Sequence, residues 1–196
     1  MTDVTDCRDL TSLQTILYMI LFLQSSARLS TCYAYLGIAL RSSIRLGLHR
    51  SVSNAFNPVE LELRKRIFWI IRKLDIYVGA LLGLPQMLNN DDVDQDMPLE
   101  IDDEYITTET ILPMPPGKLS VFTAFNKHTH LVEILAKTVK YIYPIKGNGH
   151  LRSKNDQSYV VSHTKIREIE QDLQAWMENL PMPFRPGEET SPEFMR

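Results

Sequence analysis

The sequence is short of cysteine, of glycine, of net charge and of long apolar runs, and each shortage excludes a class of protein. Two cysteines in 196 residues, Cys7 and Cys32, cannot build a disulfide framework or a cysteine-only zinc site. They suit a reducing compartment, each as an ordinary buried thiol. The 8 glycines form no glycine-rich phosphate loop, and neither a Gly-x-Ser-x-Gly elbow nor a His-Glu-x-x-His pair occurs. A formal charge of -3 and a pI near 6.0 argue against a wholly basic nucleic-acid binder. The most apolar run, Ile16 to Leu23, falls far below the roughly 20 residues needed to span a bilayer. Asp3, Asp6 and Asp9 stand before it, where an export signal would be basic. A soluble intracellular domain is expected, with no membrane partner.

What is present favours a packed helical core. Hydrophobic residues make up 44% of the chain, which excludes global disorder. Asp9 can cap a first helix with Leu10, Leu13, Leu17, Ile20 and Leu21 on one face. A second runs from about Ser30 to Leu46 and stops at Gly47, with Tyr33, Leu36, Leu40, Ile44 and Leu48 recurring at helical intervals. A third has Asn57 as cap, Pro58 at its first position and Glu60 three residues past the cap. Its apolar face takes in Ile67, Ile70, Ile71, Leu74, Val78, Leu81 and Leu82, ending at Gly83 and Pro85.

Between Leu84 and Gly117 the periodicity lapses. Asp91 to Glu104 holds eight carboxylates and no basic residue, and Pro113, Pro115 and Pro116 follow. This predicts a long acidic, proline-containing loop or wrapping strap. Helical spacing returns from about Leu119 to Tyr143 (Phe122, Phe125, Leu131, Leu135, Val139) and stops at Pro144. Lys146 to Asn155 reads as another loop. A last amphipathic helix covers about Ser162 to Leu180, with Ile166, Ile169, Leu173, Trp176 and Leu180 on one side. Residues 181–196, with Pro181, Pro183, Pro186 and Pro192, read as a flexible tail. The expected fold is all-α, an irregular array of about five helices or more.

No catalytic constellation emerges, so an enzyme is not expected. His128 and His130 lie two apart on a helix and point about 200° from each other, too far to share a metal. Asp92, Asp94 and Asp96 have the rhythm of a calcium loop, but Met97 stands where its turn glycine belongs, and a solvated acidic segment is the better reading. Basic charge gathers earlier: residues 41 to 80 carry eight Arg and Lys against three carboxylates. Arg64, Lys65 and Arg66 fan round their helix rather than lining one groove-sized face. Pairing with the acidic segment or neighbouring helices is therefore favoured over DNA contact.

The order of short motifs resembles the fungal-specific transcription factor domain, the middle homology region of fungal zinc-binuclear-cluster regulators. The first block is Tyr33-x-x-x-Gly37-x-Ala39-x-Arg41, followed by Leu46-Gly47-Leu48-His49-Arg50. Next come Glu62-x-Arg64-Lys65-Arg66-Ile67-Phe68-Trp69, Lys73-Leu74-Asp75 and Leu81-Leu82-Gly83-Leu84-Pro85, with Leu84 where the family commonly has arginine. Asp91-Asp92-Val93-Asp94, Met97-Pro98 and Leu173-x-x-Trp176-x-x-x-Leu180-Pro181 complete the series. The match is strongest over residues 28–105 and echoes at 166–185.

The resemblance implies a helical regulatory domain over 1–180, acting in the nucleus on DNA-templated transcription through an effector, an intramolecular contact or a coactivator. DNA would be read by an N-terminal zinc cluster absent from this chain, because two cysteines cannot supply six ligands. No cofactor is expected here, and the chain would be a fragment, a truncated product or a cluster-less member. The family pattern falls on Gly37, Arg41, Gly47, His49, Arg50, Arg64, Arg66, Trp69, Asp75, Gly83 and Pro85, with structural roles expected for them: Trp69 in the core, Asp75 capping or ion-paired, Gly47 and Gly83 ending helices. A helical interaction scaffold remains the alternative, and a homodimer could bury the Leu10 to Leu21 stripe.

Overall fold

The computed structural model describes residues 7–51, 56–142 and 162–186. Five α-helices lie among them: α1 (Leu10–Ser25), α2 (Leu29–Arg45), α3 (Pro58–Leu82), α4 (Val121–Ile142) and α5 (His163–Glu178). The fold is all-α. Among the described residues the sole β-type pairing is an isolated antiparallel bridge, Ile106 to Ile111. No helix there is long and apolar enough to cross a membrane.

Local chemistry sets the helix ends. The Asp9 carboxylate accepts the Ser12 N–H at 2.7 Å, and the Asn57 side chain accepts that of Glu60 at 3.0 Å. Both satisfy donors that the first helical turn leaves orphaned. Gly47 and Gly83 take φ of +72° and +67°, the left-handed region that ends a helix without a Cβ penalty. Ala27 does the same between α1 and α2 at φ +57°, despite carrying a Cβ.

The chain forms two compact units, Met1–Thr129 and His130–Arg196. In the first, α2 packs on both α1 and α3 around a core that includes Leu13, Ile16, Ile20, Leu36, Leu40, Phe68 and Ile71. α3 is buried on most of its circumference, with Trp69, Arg72, Asp75, Ile76 and Gly79 enclosed besides its apolar stripe. In the second, Lys137 pairs with Glu168 and Asp172, both at 2.6 Å, and the Tyr141 hydroxyl donates to Glu168 at 3.0 Å. The Arg185 guanidinium donates to the carbonyls of Leu180 and Glu178, both at 2.9 Å.

Several faces differ from those expected. On α1 the buried stripe is Leu13, Ile16, Leu17, Ile20 and Leu23, and Leu21 is exposed. At 100° per residue Leu21 sits about 80° from Leu13, while Ile16 and Leu23 turn the stripe the other way. The stripe offered for a dimer is thus largely consumed within one chain. Ile44 on α2 and Leu81 on α3 are also exposed. On α4 the enclosed positions are Thr123, Asn126, Thr129, Val132 and Ala136, while Phe122 and Phe125 are half-buried. On α5 only the trailing Leu180 is enclosed, and Ile166 and Leu173 are exposed. The expected helix stop at Pro144, the loop 146–155 and the tail beyond Pro186 lie outside the described residues.

Candidate functional site

The connection between α3 and α4 carries two short 3-10 turns, Asn90–Asp92 and Asp103–Tyr105. It folds back along α3, and the reversal begins at Gly83. The Leu84 N–H bonds the Gly79 carbonyl at 2.9 Å, and a Cβ on Gly79 would stand 3.3 Å from the Leu84 oxygen. Residues Asp75, Arg72, Trp69, Arg66 and Glu62 then hold the connection in turn. Their spacing of three and four makes a continuous row that drifts about 60° with each three-residue step, so from Arg66 to Asp75 it winds half-way round α3.

Each makes a different bond. The Asp75 carboxylate accepts the Met87 N–H at 3.1 Å. Arg72, only 1% exposed, donates to the Leu88 carbonyl and the Asn90 side chain. The Trp69 indole N–H donates to the Asp96 carbonyl at 2.8 Å, and its ring meets Phe68 edge-on with centroids 5.6 Å apart. Arg66 bridges Glu62 at 3.0 Å and also pairs with Asp103. Glu62 accepts the Leu99 N–H at 3.0 Å. Backbone groups of an irregular segment must find partners, and here α3 side chains supply them.

Burial dominates the electrostatics. It raises the pKa of Asp75 and of Glu62, against the pull of the Met87 N–H and Arg72 on the first and of Arg66 on the second. Lys73 is pushed down to about 8 by burial, with its ammonium 3.3 Å from the Phe125 ring centroid. α4 grips the connection from its own side. The Asn126 amide donates to the Pro98 carbonyl at 2.8 Å, and the Arg66 guanidinium lies 3.5 Å from the Phe122 centroid. Lys118 holds Asp102 and Glu104, each at 2.9 Å.

The α2–α3 turn is tied to the same segment. The Asp94 N–H donates to the His49 carbonyl at 3.1 Å, and the Gln95 amide donates to the carbonyls of Leu48 and Arg50 at 2.8 and 2.9 Å. Ser51 donates its N–H to Asp94 and its hydroxyl to Asp96, both at 2.8 Å. Two of the three carboxylates with a calcium-like rhythm, Asp94 and Asp96, thus fasten a turn. Among the described residues no group of three or more His, Cys, Asp or Glu is placed to hold a metal ion. The residues present do not fit zinc: burial raises the Cys32 pKa, and its thiol donates to the Ile20 carbonyl at 3.7 Å, whereas a zinc ligand must be thiolate.

The family-pattern residues therefore divide. Trp69, Asp75 and Arg66 touch the connection directly, and Arg64 donates to the Leu46 carbonyl at 2.6 Å. Gly37 lies 3.8 Å from the Met87 sulfur by its would-be Cβ, and Gly47 and Gly83 occupy the helix ends. The His49 backbone is engaged, while its buried Nδ1 has no partner. Arg41, Arg50 and Pro85 are exposed. Sequence reasoning left Glu62, Arg72, Gln95 and Asn126 out of the site. The first two share the spacing of Arg66, Trp69 and Asp75, a readable signal. Gln95 and Asn126 carry none, since their partners lie tens of residues away.

Comparison with known proteins agrees with the resemblance. The family model described as the fungal specific transcription factor domain matches residues 2–178. "Activator of stress genes 1" of Saccharomyces cerevisiae is 42% identical over 99% of this chain and 20% of its own length. "Activator of stress genes protein 1" of Candida albicans is 42% identical over 96% of this chain and 20% of its own. "Transcriptional activator protein acu-15" of Neurospora crassa is 32% identical over 87% and 17%. The chain spans about a fifth of the length of these curated relatives. No solved structure matches it. With its helical fold and its match over nearly the whole length, the chain belongs to the fungal-specific transcription factor domain family.

Proposed function

We propose that this chain is a regulatory module of a nuclear transcription factor, controlling DNA-templated transcription through effector, intramolecular or coactivator contacts. A zinc cluster elsewhere in a longer protein would read the DNA. The observation that carries this reading is the engagement of the basic side chains of α3. Arg72 is buried on Leu88 and Asn90, Arg66 is paired with Glu62 and Asp103, and Lys65 sits 3.5 Å from Asp96. Phosphate contacts need free, clustered cations, and this helix instead directs Lys65, Arg66 and Arg72 at its own connection, while Arg64 meets the Leu46 carbonyl and Lys73 the Phe125 ring. The relatives named as activators support a role in transcription.

Fusing the chain to a heterologous DNA-binding domain and recording reporter output tests the reading. Output should differ several-fold from the bare DNA-binding domain, and Arg66→Ala should shift it at equal protein level. The isolated chain should not bind duplex DNA at low salt. Steep salt-dependent binding by the isolated chain, or identical output with and without it, counts against the reading.

A second reading, a helical interaction or dimerisation scaffold, draws on the outer face of α1, where Tyr18, Leu21 and Phe22 are exposed together. Sedimentation of the purified chain with and without Tyr18→Lys separates this reading from a monomeric module.

A further inference from the structure

Near the end of the α3–α4 connection stands the segment Leu112-Pro113-Met114-Pro115-Pro116, in which every residue is a proline or precedes one. A proline ring holds φ at about −65°, and a residue before proline is driven out of the helical region. The sequence therefore keeps the segment extended, and the structure places no helix or strand over it. Both its ends are fastened. The Leu112 N–H donates to the Tyr105 carbonyl at 2.7 Å beside the Ile106 to Ile111 bridge. At the other end the Lys118 N–H reaches the Pro115 carbonyl at 3.3 Å, with Gly117 at φ +83°. The Lys118 ammonium then holds Asp102 and Glu104.

A polyproline helix has three residues per turn, so five residues make three ridges. Met114 is half-buried, and its sulfur accepts the Asp102 N–H at 3.3 Å. The other two ridges, Leu112 with Pro115 and Pro113 with Pro116, are exposed at all four positions. No backbone N–H among the described residues donates to the carbonyls of Leu112, Pro113 or Met114. Two x-Pro pairs are thus displayed, separated by one residue turned towards the protein, with acceptors unengaged between them. This is what the aromatic-lined grooves of proline-recognising domains accept, and fastening both ends lowers the ordering cost of binding.

The same proline spacing recurs at Pro183 and Pro186, where the backbone forbids it. Met182–Phe184 is a 3-10 turn there. The Phe184 and Arg185 N–H groups donate to the Pro181 and Met182 carbonyls at 2.9 and 3.1 Å, so those acceptors are already used.

We propose that residues 112–116 dock into the aromatic-lined groove of a polyproline-recognising domain of the SH3 or WW kind. Leu112-Pro113 and Pro115-Pro116 fill successive gaps between the rings, and a tryptophan N–H or tyrosine hydroxyl of the groove donates to the unengaged carbonyls. The adjoining stretch carries Asp102, Asp103, Glu104 and Glu109 against Lys118, which favours a groove with a basic rim. This binding goes beyond the regulatory reading and does not depend on it, since only the displayed segment is needed.

The test is an array of purified SH3 and WW domains of Saccharomyces cerevisiae, probed with the 196-residue chain, with calorimetric titration of those that bind. At least one should bind with a Kd of roughly 1–100 μM. Pro113→Ala combined with Pro116→Ala should weaken that binding by about tenfold or more and leave Tm unchanged. Leu112→Asp, which keeps every proline, should weaken it similarly, and it decides alone if the double variant is unstable. Pro183→Ala combined with Pro186→Ala should leave Kd within about twofold. The proposal is overturned if no domain of the array binds, if binding survives the changes at 112–116, or if the Pro183 and Pro186 pair carries it. A reporter fusion that still responds to Arg66→Ala would in each of those cases leave the regulatory reading standing while this site falls.

Discussion

Trp69 and Asp96 join α3 to the acidic connection by the backbone rather than by charge. The indole N–H donates to the Asp96 carbonyl at 2.8 Å, while the Asp96 carboxylate is occupied by the Ser51 hydroxyl and Lys65. One residue of the connection thus ties α3 and the α2–α3 turn at once. Trp69 is 8% exposed, so that bond forms largely out of water.

Trp69→Ala should destabilise the chain by about 3–5 kcal/mol through lost packing. Trp69→Phe should cost about 1–3 kcal/mol, since an aromatic ring still meets Phe68 and only the Asp96 carbonyl loses its donor. Urea unfolding midpoints rank the two, and equal midpoints for wild type and the alanine variant would refute the burial.

Among the described residues Arg72 is the largest fully buried side chain. Arg72→Ala should cost about 3–5 kcal/mol, because it leaves the Leu88 carbonyl unpaired and takes a positive charge away from buried Asp75. Arg72→Lys should not restore stability, as a point ammonium cannot reach both Leu88 and Asn90 in a fork. A double-mutant cycle with Asp75→Asn, read by chemical denaturation, should show non-additivity.

Lys73 supplies a pH signature. Its folded pKa of about 8 lies below the ordinary 10.5, so the unfolded chain binds more protons between those values. The Lys73 contribution to stability should therefore rise as pH climbs from about 8 towards 10.5. Lys73→Met should abolish that slope, measured by urea unfolding across the window, and a slope identical in the variant would assign it to other groups. Asp75 runs the opposite way: burial raises its folded pKa, so the stability it contributes is full below the ordinary carboxylate range and is lost as pH rises through the folded value.

Backbone conformation predicts two changes of opposite sign. Ala27→Gly should stabilise the α1–α2 turn by about 1 kcal/mol, because φ +57° crowds its Cβ. Gly83→Ala should destabilise by about 1 kcal/mol at φ +67°. Thermal unfolding of both variants checks the pair, and a matching sign would contradict the turn geometry.

The helices were legible in the sequence because their limits depend on neighbours a few residues away. Asp9, Asn57 with Pro58, Gly47 and Gly83 each act within one turn of chain, and the bounds of α1 to α3 follow them closely. Faces were less legible. Leu21 and Ile44 satisfy helical spacing yet are exposed, since periodicity gives a stripe without saying which edge its neighbour covers.

What the sequence by itself determined is the all-α class, the family, and where the first three helices start and stop. Only the tertiary structure decided that Glu62, Arg66, Trp69, Arg72 and Asp75 act as one row gripping the connection, and that Glu62 keeps one buried oxygen free. The physical reason is range. A cap is written within four residues, whereas the path of a non-periodic segment depends on hydrogen bonds spanning 12 to 47 residues, whose geometry exists only once the helices have packed.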